Sequence, residues 1–351
     1  MTELEHAAGA LVLRPASNRA VAYADVDYSV SAETVARLLE APSPNTLAAY
    51  EHAWGKFAQW CLEQGRVTLP ATPQTLADFV VQLIGLSLAP ATIDQAIGAI
   101  RSRHSRAGYR NEPDTRAALD LLRAYRREWV DAGGRVRKAR PLLLEGLRAM
   151  VSTCDPETPK GARDRALLLL GFNMMARRSE LAGLDLADIT EHEEGILVRI
   201  RRSKTDQAAV GVEVAVPFGQ HAQTCAVRAV THWREVLEER DMTSGPFLRP
   251  VDRHGRVGTE RGAAGKARDR LTGKSVSSVV RGRAFAAELE HAESYVGHSL
   301  RSGAATVAYA SRVPVSVIAA HGRWSEKSPV VLGYIRAVDQ WQNNPMKGIG
   351  L

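Results

Sequence analysis

Near the end of the sequence, basic and aromatic residues recur at spacings that suit phosphate chemistry. In "GHSLRSG", His298 and Arg301 stand at i and i+3, on one face of a predicted helix and close to its N-terminus. The free backbone N–H groups of such an N-terminus attract a phosphate. Trp324 follows in "GRWS" and Tyr334 in "GYIR". Taken alone, such a tryptophan is typical of a protein core and such a tyrosine of a helix end. The spacing alone therefore predicts either an anion site or ordinary packing residues.

A second basic pair stands in the middle of the chain. The stretch "GFNMMARRSELAGL" sets Arg177 and Arg178 ahead of Glu180 in an otherwise apolar segment. Burying a guanidinium there is costly unless an anion meets it. That anion is either Glu180, in a structural ion pair, or a phosphate held by Arg177. The residues alone leave both alternatives open.

Several familiar nucleotide and metal motifs do not occur in the sequence. It contains no G-x-x-x-x-G-K-[ST], no G-x-G-x-x-G after a strand, no H-E-x-x-H and no carboxylate pair flanked by histidine. Neither an ATP-driven nor a metal-driven mechanism is predicted. No cofactor and no metal ion are expected.

The composition is that of an ordinary globular protein with a basic excess. The 351 residues suit two domains, and 45% of them are hydrophobic and 24% charged. Lysine and arginine number 46 against 39 acidic residues, which leaves a net charge of +7 and a pI near 9.5. This balance favours a polyanionic partner such as a nucleic acid.

Cysteine usage and hydropathy bear on the cellular compartment. Cys61, Cys154 and Cys225 lie far apart and form no C-x-x-C pair, so neither a disulfide framework nor a zinc knuckle is predicted. No apolar run reaches the roughly eighteen residues of a membrane span, and the N-terminal stretch carries acids where a secretory signal carries lysines. A cytoplasmic protein is expected.

The first part of the chain carries helical periodicity. Residues 1–30 lack it and are predicted to form a loose extension, whereas 31–134 is predicted to form a bundle of about four helices. Thr72 followed by Pro73 marks one helix start. The predicted buried stripes are Tyr50, Trp54, Phe57 and Cys61, then Leu76, Phe79, Val80 and Leu83, then Ile93, Ile97 and Ile100, and then Leu119, Leu122, Tyr125 and Trp129.

Basic residues cluster at two places in this region. The third predicted helix ends in four of them, Arg101, Arg103, His104 and Arg106. They form either a solvated face that complements the helix dipole or a surface presented to DNA. The stretch "AGGRVRKARP" has the composition of a linker and places a domain boundary near residue 134. The residues predicted to contact DNA are Arg101, Arg103, Arg106, Arg137, Lys138 and Lys274.

Residues 135–351 read as mostly helical, with one exception. In "GILVRIRRSKT" and "AVGVEVAVPF" apolar residues alternate at period two, which predicts a β-hairpin with "DQAA" near its turn. The predicted fold is therefore mainly α with a small antiparallel β-sheet. It comprises an N-terminal helical domain and a second, α+β domain.

Taken together and in order, these residues resemble the tyrosine recombinase family. The family pattern is an arginine in R-x-x-E-L, a lysine in the turn of a β-hairpin, H-x-x-R, a GH or GW element, and a tyrosine some nine residues later. The matching residues of this chain are Arg177, Lys204, His298, Arg301, Trp324 and Tyr334. The resemblance spans nearly the whole chain, because the helical N-terminal part also looks like the core-binding domain of such enzymes.

The sequence departs from the family pattern in two places. Trp324 lies ten residues before Tyr334 rather than nine, and His321 in "AAHGRW" is an alternative hydrogen-bond donor; the match in "GRW" favours Trp324. Arg178 competes for the role of the first arginine. The three-residue gap to Glu180 decides for Arg177, with Glu180 as its supporting residue.

The resemblance implies a site-specific DNA recombinase that works by transesterification. Tyr334 would attack a DNA phosphodiester and form a 3′-phosphotyrosyl bond, and strand exchange would pass through a Holliday junction. Arg177 and Arg301 would fork onto the non-bridging oxygens. Trp324 would donate its indole N–H to the same oxygens, and His298 would either donate to the phosphate or accept the phenol proton. Lys204 would protonate the departing 5′-oxygen.

The resemblance also implies an assembly. A core-binding domain and a catalytic domain would form a clamp around double-stranded DNA, with a homodimer on each inverted-repeat site and a homotetramer at synapsis. The residues after Tyr334 would form a helix exchanged between protomers, and the protein would associate with the nucleoid. Two alternatives remain: a type IB topoisomerase or telomere resolvase, and a catalytically silent DNA-binding regulator of the same fold.

Overall fold

The chain divides into two compact units in a computed structural model, residues 1–137 and 138–351. The structure describes residues 44–109, 111–135, 139–201, 211–258, 269–325 and 328–334, with a few single residues among 24–34 and at 346. The predicted N-terminal extension lies almost wholly outside these ranges. Within them, no helix is long and apolar enough to cross a membrane.

The described residues of the first unit form four long helices. They are α1 (Pro44–Glu63), α2 (Pro73–Gly85), α3 (Pro90–Arg106) and α4 (Arg116–Asp131). The start of α2 is confirmed, since the Thr72 hydroxyl accepts the Thr75 N–H at 3.1 Å and Pro73 opens the helix. The predicted stripes supply the core, where Phe57, Ile100 and Leu122 are almost completely buried.

His104 corrects the predicted basic face of α3. The ring is wholly buried, where its Nε2 accepts the Ala71 N–H and its Nδ1 donates to the Ile100 carbonyl, both at 2.8 Å. Burial lowers the pKa of this histidine. His104 is therefore a neutral core residue that joins α3 to the chain before α2, and it does not belong to a DNA-binding surface.

Among its described residues, the second unit has seven labelled helices, with one of them at its centre. They are α5 (Leu144–Ser152), α6 (Pro159–Asn173), α7 (Arg178–Gly183), α8 (Ala226–Glu238), α9 (Gly273–Ala286), α10 (Gly297–Ala310) and α11 (Val315–Gly322). Residues 329–334 are helical as well. The run 166–171 of α6 is buried on every side, because α5, α8 and α10 all pack against this helix.

A buried ionic network ties α6 to its neighbours. Asp164 accepts from Arg163 Nε at 2.6 Å and from Arg283 of α9 at 2.7 Å, and the Arg163 and Asp164 side chains are only 4% and 3% exposed. Arg283 also donates to the Thr153 carbonyl at 2.6 Å. Because each charge has a partner, the network is tolerated inside the unit.

The sheet has three antiparallel strands in the order β1-β2-β3. They are β1 (Ile189–His192), β2 (Gly195–Ile200) and β3 (Val212–Pro217), with Ile200 opposite Val212. The hairpin of β2 and β3 follows the predicted alternation. β1 escaped prediction because it has only four residues and buries only Ile189. Lys204 falls between β2 and β3, outside the described residues.

Candidate active site

The first turn of α10 carries His298 and Arg301. The Ser299 hydroxyl accepts the Val296 N–H at 3.0 Å and so fixes where the helix starts. A side chain at Gly297 would crowd the Cβ of Arg178, 2.9 Å away, so α10 and α7 approach closely. Helical spacing then places His298 and Arg301 on adjacent turns of one face, as the sequence predicted.

Arg301 lies at the bottom of the site. Its guanidinium is 1% exposed and donates to the Met175 carbonyl and, at 2.5 Å, to the Gly322 carbonyl. The Trp324 ring covers it, with the guanidinium carbon 3.8 Å from the ring centroid. Burial, and Arg177 beside it, lower the pKa of Arg301, yet a guanidinium keeps its charge at neutral pH.

Arg177 ends the turn between α6 and α7 and serves as the N-cap residue of α7. Its guanidinium contacts Glu180 at 2.5 Å, and its backbone N–H donates to the other carboxylate oxygen at 2.8 Å. The predicted structural ion pair is thus present. The side chain nevertheless stays 18% exposed, whereas that of Glu180 is 2% exposed. Arg177 therefore remains partly exposed, while the Glu180 carboxylate that contacts it is buried.

Glu180 is an ionised carboxylate in a buried position. Burial alone would raise its pKa, but Arg323 and Arg177 lower it below the ordinary value. Its Oε2 accepts from Arg323 at 2.9 Å, so two guanidiniums share one carboxylate. The site accordingly has a cationic excess, as a phosphate-binding site requires.

Tyr334 meets His298 at the mouth of the site. The Tyr334 hydroxyl and His298 Nε2 are hydrogen-bonded, and their ring centroids are 5.9 Å apart. Burial raises the pKa of Tyr334, although Arg301 and Arg177 pull it down. Desolvation lowers the pKa of His298, and Arg301 and Arg177 lower it further. A neutral imidazole consequently faces a protonated phenol.

The structure separates Trp324 from its alternative, His321. Trp324 lies between Arg301 and Tyr334, with its ring centroid 5.9 Å from that of the tyrosine. His321 instead contacts the Asn173 carbonyl through Nε2 at 2.7 Å, at the end of α6. Trp324 is therefore the residue brought to the site, and His321 supports the turn behind it.

Sequence reasoning missed one residue, Arg323. It is 8% exposed, contacts Glu180, and adopts a left-handed backbone conformation with φ of +59° directly before Trp324. The signal was available, because an arginine here occupies the position that glycine holds in the family's GW element.

The predicted DNA-contacting residues are divided between the two units and the residues outside the described ranges. Arg101 and Arg103 are exposed on α3 of the first unit, where Arg103 pairs with Glu51 at 3.3 Å. Arg106 is half-buried at the end of α3, and Lys274 is exposed in the first turn of α9. Arg137, Lys138 and Lys204 fall outside the described residues.

Comparison with known proteins agrees with the motif order. The model of the phage integrase family matches residues 142–340. An integrase/recombinase XerD homologue of Selenomonas ruminantium is 33% identical over 278 residues, which span 78% of this chain and 76% of that protein. The chain belongs to the phage integrase family of tyrosine recombinases. A second relative of this recombinase, the Cre recombinase of Escherichia phage P1, is 27% identical over 306 residues, covering 82% and 85% of the two chains.

A solved structure shows the same fold at lower identity. The Tn1549 transposon integrase, in complex with transposon right-end DNA, aligns with this recombinase at a TM-score of 0.55 and 13% identity, covering 86% of this chain and 92% of the other. The predicted fold class, mainly α with a small antiparallel sheet, is confirmed. The predicted enzyme class, a tyrosine-type site-specific DNA recombinase, is confirmed by the family.

Proposed function

We propose that this recombinase cleaves and rejoins DNA through Tyr334, with Arg177, His298, Arg301, Trp324 and Lys204 as its catalytic residues. The observation that carries the proposal is the hydrogen bond between Tyr334 and His298 beside two arginines. A bond forms between the tyrosine oxygen and phosphorus while the bond from phosphorus to the 5′-oxygen breaks. The phosphodiester energy is kept in the 3′-phosphotyrosyl bond, so a free 5′-hydroxyl can reverse the step.

Two protons move in this step. The Tyr334 proton passes to Nε2 of His298, whose depressed pKa keeps it neutral and able to accept. A second proton must reach the departing 5′-oxygen. We assign its delivery to Lys204, which the family pattern places between β2 and β3.

Two guanidiniums oppose the charge that develops on the phosphate. The Arg177 side chain is partly exposed and can reach a bound phosphate. Arg301 lies beneath the Trp324 ring, so docking of the phosphate requires this ring to shift, after which the indole N–H can donate to the same oxygens. Because these positive charges are in place before the reaction, they stabilise the transition state, and the protein does not have to reorganise during cleavage.

The finer features of the assembly are also proposals. Family membership supports a homodimer on each inverted-repeat site, a homotetramer at synapsis and a Holliday junction between the two strand exchanges. The basic residues of α3, of the linker and of α9 would follow the DNA backbone, in a clamp formed by both domains. Such a protein would act in the cytoplasm, in association with the nucleoid.

Covalent capture on genomic DNA tests the proposal. Cells that express the chain are lysed in detergent, and the protein is recovered with its attached DNA and sequenced. The proposal expects cleavage at a discrete inverted-repeat site and exchange between two copies of that site. Relaxation of supercoiled DNA without exchange would point to a topoisomerase, and binding without any adduct to a silent regulator.

A further inference from the structure

Arg323 has a backbone conformation that favours glycine. It caps the C-terminal end of α11 with φ of +59° and ψ of 42°. Left-handed backbone is unfavourable for a side chain with a Cβ atom and persists where the surroundings hold it in place. The contacts of the Arg323 side chain decide whether it contributes to the site.

The Arg323 side chain binds the turn between α6 and α7. Its Nη1 donates to the carbonyl oxygens of Met174 at 3.1 Å and His321 at 2.8 Å, and its Nη2 donates to that of Met175 at 3.3 Å. The side chain is 5% exposed. Arg323 therefore joins the end of α11 to the turn that leads into Arg177, and it does not face the substrate.

Both catalytic arginines contact groups that Arg323 also contacts. Glu180 accepts from Arg177 through one oxygen, at 2.5 Å, and from Arg323 through the other, at 2.9 Å. Arg177 also donates to the Arg323 carbonyl at 3.3 Å. Arg301 shares the Met175 carbonyl with Arg323. The Arg323 side chain thus shares an acceptor with each of the two arginines, and its backbone carbonyl accepts directly from Arg177.

Arg323 also sets the place of Trp324. A side chain at Gly322 would overlap the Trp324 ring, so the tryptophan packs directly on the backbone of this turn. The backbone N–H of Trp324 donates to the Ala319 carbonyl at 2.9 Å. Because Arg323 holds the turn between these two residues, the ring that covers Arg301 depends on it.

We infer that Arg323 is a positioning residue of the recombinase, which orients Arg177 through Glu180 and holds the Trp324 turn over Arg301. The inference rests on the proposed function. Glycine in the same position would keep the turn but lose every side-chain contact described above.

The substitution Arg323→Gly isolates the side chain from the backbone. Glycine accepts the left-handed conformation without strain, so the variant should fold. Arg312→Gly is a matched control, because Arg312 is exposed and has φ of +65°. On a nicked DNA duplex carrying the site that the wild-type protein cleaves, we expect Arg323→Gly to slow adduct formation by about tenfold to a hundredfold with DNA affinity nearly unchanged. Arg312→Gly should match the wild type.

A pH profile separates positioning from simple stability. The charged groups that face Glu180 are Arg177 at the start of α7, Arg323 after α11 and Arg301 on α10. Without Arg323 the pKa of Glu180 rises, so the carboxylate that orients Arg177 is neutralised at higher pH. The acid limb of the cleavage rate should therefore move upward in Arg323→Gly. Adding Glu180→Gln to that variant removes the titrating carboxylate. The pH at which the cleavage rate falls should then again be the one set by the pKa of His298.

Three outcomes would overturn the inference. The first is an Arg323→Gly protein that equals the wild type in rate and pH profile. The second is a loss of rate only in proportion to a lowered melting temperature, with the acid limb in place. Lack of a Tyr334 adduct in the wild-type reaction would contradict the proposed function itself, and the inference with it. The wild-type and Arg312→Gly reactions distinguish this last result from the first two.

Discussion

The Tyr334 hydroxyl and Nε2 of His298 are hydrogen-bonded within one chain. The proposed nucleophile and the proposed base thus lie together in one chain, with Arg177 and Arg301 close enough to act on the pKa of both. Burial disfavours the phenolate and the imidazolium alike. The pair therefore rests as a neutral phenol and a neutral imidazole, which is the state from which a proton can be transferred.

The pH dependence of cleavage should report on His298. Its pKa lies below the ordinary value of about 6.5, and the neutral ring is the form that accepts the proton. The rate should stay level as pH falls from 8 to about 6.5 and drop only below that range. Single-turnover cleavage across this range checks the expectation, and a decline that already begins near pH 7.5 would contradict it. His298→Gln should flatten the profile.

The two catalytic arginines should differ in what their loss does to folding. Arg177→Ala and Arg301→Ala should each slow adduct formation by roughly a hundredfold or more, because each removes charge stabilisation from the transition state. Arg301→Ala should also destabilise the protein by about 1–3 kcal/mol, since the buried Gly322 carbonyl loses the donor described here and the Met175 carbonyl keeps only Arg323. Thermal melts beside rate measurements test this. Equal melting temperatures for the two variants would be inconsistent with the buried position of Arg301.

Lys204 should act on the leaving group alone. Lys204→Ala is expected to bind DNA normally and to cleave slowly. A substrate with a 5′-bridging sulfur, whose leaving group needs no proton, should recover much of the lost rate. Comparison of the sulfur and oxygen substrates in both proteins measures the effect. If the variant cleaves the two at the same rate, the lysine has another role.

The buried network of Asp164 should matter for stability and little for chemistry. Asp164→Asn leaves Arg163 and Arg283 beside a neutral group inside the unit, and breaking such a network costs about 3–5 kcal/mol. Glu191→Gln, which alters an exposed pair with Arg234, should change little. Chemical denaturation of both variants tests the contrast. Equal stability would show that the buried charges contribute nothing net.

Local patterns predicted those parts of the structure that depend on local chemistry. The Thr72 cap, the buried stripes of the first unit and the alternation of β2 and β3 all follow from neighbouring residues. The H-x-x-R spacing likewise placed His298 and Arg301 correctly on one helix. Periodicity carries this information because a helix or strand repeats its environment along the chain.

Other features depend on contacts between distant segments. His104 looks like a member of a basic surface until Ala71, 33 residues earlier, supplies its buried partner. Arg323 gains its role from Glu180, 143 residues earlier. Local sequence patterns contain no information about pairs so far apart in the chain. The strand β1 is too short to show a periodic pattern. Burial of polar side chains is decided by tertiary packing.

The identity of the residue that becomes joined to DNA tests the central claim most directly. The covalent complex is trapped on a nicked duplex and digested with protease and nuclease, and the peptide that keeps a nucleotide is sequenced by mass spectrometry. The account predicts a nucleotide on Tyr334, and no adduct from a folded Tyr334→Phe protein that binds DNA with unchanged affinity. A nucleotide on Tyr295, Tyr309 or any other residue would contradict the account.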